Sequence, residues 1–293
     1  MIVIKLQGGL GNQMFQYAAA QSLALIHDTR VCFDISSLEG QSKKNITHRT
    51  FSLNIFGLGK NICANPYRKM IELPVNPAKR FFTKIKRRLI RFSYYCESSL
   101  AFDPSFFNLG KNSCLEGYFQ SENYFIRFED FFRRTFIFHL SDDFKYHGIQ
   151  KKIISENSIS LHIRYGDYGT ADAATHGLLN PSYYLKAVSF IKEKTGKPFI
   201  FIFSDHKVPD EFRKQLNCPN AVVPTEKNDG QITDMYLMSQ CRHHIIANST
   251  FSWWGAWLNN KPGKIVIAPA RWFSDPVKQG QAGDIVPYSW TKI

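Results

Sequence analysis

Residues 2–26, IVIKLQGGLGNQMFQYAAAQSLALI, decide the fold. Ile2–Leu6 has the β-branched, apolar content of a buried strand. Gly8–Asn12 follows as a tight turn, and Gln13–Ile26 carries the composition and spacing of a helix. Val31–Ile35 then reads as a second strand. Strand, glycine turn, helix and strand in that order open a parallel α/β domain. Glycines after a strand let the backbone pass close to a ligand, and the helix amino terminus offers N–H groups to a phosphate. Gly9, Gly11, Asn12 and Gln13 are the candidates in this turn. Two other readings stay open: a strand–helix turn holding no ligand, and a dinucleotide fingerprint with Asp34 on the ribose. For the latter, Met14 and Phe15 stand where the third glycine belongs.

A second α/β series starts near Ser158. Strands are expected at Ile159–Arg164, Phe199–Phe203, Ala221–Val223, His244–Ala247 and Ile265–Ala268, and helices at Pro181–Lys194, Pro209–Leu216, Ile232–Gln240 and Phe251–Leu258. The middle of the chain is less regular, with a short strand near Cys114–Phe119 and an aromatic-rich helix from Ser121 to about Phe132. The polar segment KKIISEN (residues 151–157) marks the domain boundary. Two Rossmann-type domains, 1–155 and 156–293, facing across a cleft are the expected architecture, and clefts at the carboxyl ends of strands are where such folds bind ligands.

The second half carries two more candidate sites. HIRYGDY (162–168) sits at a strand end, where His162 and Arg164 point to one face and Ile163 and Tyr165 to the other. An imidazole beside a guanidinium makes an anion-binding pair, the guanidinium able to grip two phosphate oxygens at once. Asp167 either caps the loop or pairs with Arg164. Farther on, a hydrophobic strand runs into Asn248, Ser249 and Thr250 before a helix. One of these would be an N-cap. Three in a row point to a second helix amino terminus aimed at the same cleft, and the paired Trp253 and Trp254 read as core. No Asp-x-Asp occurs in the chain, so a departing diphosphate would be neutralised by Arg164 and backbone N–H groups rather than by a metal.

Taken together, GGLGNQMFQYA (8–18), GYFQSENYF (117–125), HIRYGDY (162–168), HG followed by YY (176–184) and NSTFSWWGAW (248–257) resemble the alpha-1,2-fucosyltransferases of glycosyltransferase family eleven, in that family's order and over nearly the whole chain. Tyr165 stands where the family usually has a second Arg, and FSDH (203–206) where it commonly shows a second acid. The resemblance implies a GT-B-like fold, an acceptor-side N-terminal domain, a GDP-fucose-binding C-terminal domain and no metal or other cofactor. It further implies inverting transfer from GDP-fucose to a terminal beta-galactoside. Carried over, Arg164 binds the diphosphate, His162 and Asp234 lie near the nucleoside, Asn248, Ser249 and Thr250 line the phosphates, and the Gly9–Gln13 turn closes the site. Related fucosyltransferases place a catalytic carboxylate ten residues past the strand histidine, here Asp172; Asp167 and His176 compete for that role.

Composition bounds the partners. The 293 residues carry a net charge of +13, enough to draw nucleic acid, anionic lipid or a phosphorylated substrate. Seven of the basic residues and no acid fall in KRFFTKIKRRLIRF (79–92), which drawn as a helix is amphipathic and suits an anionic membrane surface or packing on its own domain. No nucleic-acid module is recognisable, so no nucleic acid is expected as partner. An NAD-dependent oxidoreductase and a basic nucleic-acid- or membrane-binding protein remain the rival classes. Cys32, Cys63, Cys96, Cys114, Cys218 and Cys241 are scattered, which fits reduced, mostly buried thiols rather than disulfides or zinc. No apolar run is long enough for a membrane span and no signal peptide is apparent, so the expected location is cytoplasmic, with peripheral contact at the inner face of the membrane. The natural acceptor would then be a lipid-linked unit of a surface polysaccharide such as O-antigen.

Overall fold

Ile2, Val3 and Ile4 are at most 1% exposed, as a strand covered on both faces requires. They belong to a computed structural model that describes residues 1–39, 49–63, 76–78, 80–82, 85, 92–140, 144–164, 177–224 and 230–293. The chain divides into two compact units, Met1 to Thr135 and Phe136 to Ile293.

The first unit contains β1 (Ile2–Lys5), α1 (Leu10–Ile26), β2 (Val31–Asp34), α2 (Ser36–Glu39), β3 (Ser93–Cys96), β4 (Ser113–Glu116) and α3 (Glu129–Thr135). Its four strands are all parallel, in the order β2-β1-β4-β3. β1 is therefore flanked by β2 and β4, and the loops leaving β1 and β4 are neighbours at the carboxyl edge. α1 is buried nearly all round, its small residues Ala18, Ala19 and Ala20 fully so, which is the signature of a core helix. The aromatic-rich helix expected from Ser121 is instead two single 3-10 turns, Glu122–Tyr124 and Ile126–Phe128, followed by α3. Tyr124 and Phe125 are adjacent and both fully buried, and Phe125, with φ −146° and ψ −5°, leaves the helical region and separates the two turns.

The second unit contains α4 (His147–Ser155), β5 (Ser158–Ile163), α5 (Pro181–Thr195), β6 (Phe199–Ser204), α6 (Asp210–Gln215), β7 (Asn220–Val222), α7 (Gly230–Gln240), β8 (His243–Ile245), α8 (Thr250–Leu258), β9 (Val266–Ala268), α9 (Pro276–Gln281) and β10 (Thr291–Lys292). Six parallel strands lie in the order β10-β9-β8-β5-β6-β7. The chain moves outward through β6 and β7 on one side of β5, then returns and moves outward through β8, β9 and β10 on the other. Strand order thus reverses between β5 and β8, the place where open parallel sheets bind ligands.

The division falls before the expected residue 155. KKIISEN is no linker: Lys151–Ser155 are the end of α4, and Ile153 packs with Phe144, Tyr146, Phe201, Phe203, Leu237 and Met238. Burial of these side chains stabilises the second unit, at roughly 1.5–3 kcal/mol per large apolar residue. All five tryptophans, Trp253, Trp254, Trp257, Trp272 and Trp290, lie in this unit and are buried. Trp253 donates from Nε1 to Ile285 O at 2.7 Å, so the tryptophan pair is core, as the sequence suggested. Of the cysteines only Cys114 and Cys241 are buried, and Cys96 is exposed, fewer buried thiols than expected.

Within 79–92 the described residues are Arg80, Phe81, Phe82, Ile85 and Phe92; the others lie outside the described residues. Phe81 and Phe82 are helical, 62% and 69% exposed, with their rings edge to face. No helix among the described residues is long and apolar enough to cross a membrane.

Candidate functional site

The β5/β8 reversal brings two of the predicted motifs together. Arg164, the first residue past β5, donates from Nη1 to Ser249 Oγ at 3.0 Å. Ser249 is also the N-cap of α8, its hydroxyl accepting from Phe251 N at 3.3 Å. A guanidinium is thereby laid against a helix amino terminus, two features that favour an anion at one spot.

His162 lies behind them on β5. It is 8% exposed, its ring centroid 5.8 Å from that of Phe251, and its Nδ1 has no hydrogen-bond partner among the described residues. Burial first, then the Arg164 charge, pushes its pKa down to about 3, while Asp205 acts in the opposite direction. His162 is therefore a neutral imidazole at physiological pH, a donor or acceptor but not a cation. Asp205 and His206 follow β6 at the same edge, paired Oδ1 to Nδ1 at 3.1 Å and both well exposed. Sequence reasoning had left this pair without a role, and only the register of β5 against β6, which sets His162 beside Phe203, could have pointed to it.

Asn248 and Asp234 take different places. The Asn248 amide donates to Gly177 O at 3.4 Å and Trp272 O at 3.2 Å, so this side chain binds loops together beneath the site. Asp234 is half-buried in α7, which packs on α8 so closely that a Cβ on Gly255 would meet Met238 Cβ at 3.0 Å. Thr250 is the first residue of α8. Of the HG…YY match, Tyr183 is structural, its hydroxyl donating to Ile246 O at 2.7 Å and lying 3.2 Å from Ile267 O. Asp167, Asp172 and His176 lie outside the described residues.

In the first unit the α1 turn meets the loop after β4. Gly8 has φ +76°, a left-handed conformation natural to glycine. Gly9 is the N-cap, with no side-chain cap and no acid in the first turn of α1. Gln13 is fully buried and wholly engaged, donating from Nε2 to Gly8 O and Thr50 O and accepting at Oε1 from Ser52 N, each at 2.9 Å. Gln16 accepts from Gln7 N at 3.0 Å and donates to Gly117 O at 3.1 Å. Gly11 is a buried residue within α1, and Asn12 Oδ1 accepts from Gln120 Nε2 at 3.0 Å. Asp34 is fully buried and accepts from Ser36 N at 3.0 Å: it caps the short helix after β2 instead of presenting itself to a ribose. Among the described residues, no three His, Cys, Asp or Glu come together as metal ligands do.

Two parallel α/β sheets, with a guanidinium and a capped helix at the strand reversal of the second, are the elements of a GT-B-like fold. The fold is similar to that of Arabidopsis thaliana FUT1 in complex with GDP, with a TM-score of 0.50 at 13% identity over 98% of this chain and 75% of that one. The chain belongs to glycosyl transferase family 11, whose model matches residues 1–293. It is 35% identical to an O-antigen biosynthesis glycosyltransferase, WbnK, of Escherichia coli, over 92% of this chain and 94% of that protein. It is also 30% identical to an alpha-1,2-colitosyltransferase of Escherichia coli, over 100% and 99% of the two chains. The oxidoreductase and nucleic-acid readings fall with this assignment.

Proposed function

We propose that the chain is an inverting, metal-independent alpha-1,2-fucosyltransferase that moves fucose from GDP-fucose to the 2-hydroxyl of a terminal beta-galactoside in O-antigen synthesis. The observation that carries this reading is Arg164 held against Ser249 at the β5/β8 reversal. There the guanidinium and the α8 amino terminus neutralise charge that develops on the departing diphosphate, a role for which preorganised donors are well suited. Ser249 and Thr250 line the phosphates, with Asn248 fixing the loops under them. His162, neutral and buried, faces the nucleoside together with Asp234, whose carboxylate accepts from the guanine N–H groups.

Inversion takes one displacement. The acceptor oxygen bonds to the anomeric carbon as the bond to the GDP oxygen breaks, and the hydroxyl proton passes to a base. Asp172 is the base favoured here, ahead of Asp167 and His176. In the first unit, Gly9, Gly11, Asn12 and Gln13 are the donor-binding candidates, with Gln13 serving as the frame of the turn through its backbone hydrogen bonds. Peripheral contact with anionic lipid through residues 79–92 suits a lipid-linked acceptor, and the exposed Phe81 and Phe82 support it.

The name of the 30% identical relative favours a second reading, a colitosyl donor with the same 1,2 linkage. The deciding experiment incubates purified protein with GDP-fucose or GDP-colitose and with lactose, N-acetyllactosamine or galactosyl-N-acetylgalactosamine, in EDTA, and maps the product linkage by NMR. A 1,2-linked fucosyl product is expected; transfer to another position, or none without added divalent ion, overturns the proposal.

A further inference from the structure

The loop that leaves β9 carries an arginine with no role in the site as described. Arg271 is exposed, while its neighbours Trp272 and Phe273 are 2% and 5% exposed. The backbone around it is held on both sides. Ala270 N donates to Ile293 O at 2.8 Å. Gln279 of α9 accepts at Oε1 from Trp272 N at 2.7 Å and Phe273 N at 2.9 Å, and its Nε2 donates to Ala270 O at 3.4 Å. Trp272 O accepts from Asn248 Nδ2 at 3.2 Å. A surface arginine serving solubility alone needs no such frame.

Its guanidinium is barely committed. Among the described residues it makes one hydrogen bond, from Nη2 to Ser274 O at 3.4 Å, and no ion pair. That contact fixes where the head group lies. Ser274 Cβ is 3.3 Å from the position a Cβ on Gly177 would take, and Gly177 O accepts from Asn248 Nδ2 at 3.4 Å. Asn248 immediately precedes Ser249, the N-cap of α8. The guanidinium is therefore at the carboxyl edge of the second sheet, beside the turn that opens α8.

Strand order agrees. β9, β8 and β5 are consecutive, so Arg271 after β9 and Arg164 after β5 stand on either side of the turn after β8, two strand spacings or about 10 Å apart. Between them lies the amino terminus of α8, a helix of nine residues. His162, nine-tenths buried and with Nδ1 unpartnered among the described residues, has its ring 5.8 Å from that of Phe251 in the first turn of α8. A helix amino terminus with a guanidinium on each side favours an anion of more than one charge.

Resting on the reading that this edge binds the sugar-nucleotide donor, we propose that Arg271 is a second cation for the donor's diphosphate, gripping it from the β9 side of the α8 amino terminus. The side chain exchanges its long contact with Ser274 O for phosphate oxygens. It makes and breaks no covalent bond. A nucleoside without phosphate gains nothing from it.

Calorimetry on the full chain tests this, with GDP and guanosine titrated into the parent protein, Arg271→Ala and Arg271→Lys, and the melting temperature as control. Arg271→Ala is expected to raise the Kd for GDP about tenfold, the low end for a charge-assisted hydrogen bond because the position is exposed, and to leave guanosine binding and the melting temperature unchanged. Arg271→Lys keeps the charge without the fork and should lose less. The KM for GDP-fucose should rise in step with the GDP Kd. An unchanged GDP Kd in Arg271→Ala overturns the proposal, as does an equal loss of guanosine binding, which would mark a structural effect. A raised KM for the sugar acceptor with GDP affinity intact overturns it too, and moves the cation to a phosphate of the acceptor. A parent protein that binds no GDP removes the donor reading itself, and the proposal with it.

Discussion

Acidification below pH 6.5 is expected to unfold the second unit, and three histidines set the scale. Burial holds His162 at about 3, His243 at about 4 and His244 well below its ordinary value of 6.5. All three are at least nine-tenths buried. They are neutral in the native state, whereas in the unfolded chain each takes up a proton below pH 6.5. The unfolded state therefore binds more protons, and native stability rises with pH. Stability is complete above about pH 7 and is lost as the pH falls from 6.5 toward the native values. Each imidazole removes about 1.4 kcal/mol per pH unit in that window. At pH 4.5 His162 and His243 together account for a loss of about 5 kcal/mol, with His244 acting in the same direction, against a total of roughly 5–15 kcal/mol for a domain. The assay is the urea midpoint followed by circular dichroism at half-unit steps from pH 7.5 to 4.5. His243→Asn, which keeps an acceptor for the Ile265 N–H now held by Nδ1 at 3.1 Å, should lower the slope below pH 6 by about 1.4 kcal/mol per pH unit, the share of one imidazole. A midpoint unchanged down to pH 5, or a variant with the full slope, refutes the reasoning.

Arg164→Ala should lower kcat by about 10²–10³ with the melting temperature preserved, as loss of a transition-state donor does; normal turnover removes Arg164 from the mechanism. Ser249→Ala removes both the partner of Arg164 and the cap of α8, so about 1 kcal/mol of stability and a smaller share of kcat should go together; unfolding melts that leave stability unchanged would contradict the cap. Gln13→Ala strips three hydrogen bonds from a fully buried site and should cost about 2–4 kcal/mol, while calorimetry finds GDP affinity of the folded protein unchanged. A drop in affinity with stability intact would make Gln13 a ligand contact instead.

The ends of the chain were legible in the sequence because their signals are local. β1, β2 and the strands and helices from Ser158 to Ala268 lie within a few residues of their expected places, several of them bounded by glycine, proline or a cap such as Asn180 before Pro181. The Arg164–Ser249 contact was also foreseeable, since strand ends and an Asn-Ser-Thr cap converge in any parallel sheet. β3 was not: Ser93–Cys96 is largely exposed, so no apolar alternation marks it. α4 was mistaken for a linker because only Ile153 of its residues is buried. Gln13 and Asn248 looked like ligand groups, since polarity in a glycine turn or before a helix does not reveal which backbone groups, sometimes far along the chain, will claim it. The hydrogen bond from Gln120 to Asn12 joins residues 108 positions apart, beyond any local pattern.

The gathering of every indole in one half of the chain gives the protein an intrinsic optical label. Light absorbed only by tryptophan will report on residues 136–293 and be silent about the first 135, whose aromatic core is phenylalanine and tyrosine. Emission excited at the red edge, set beside tyrosine emission, can therefore show whether the halves melt in one step or two, and which of them a nucleotide protects, with no dye or substitution added.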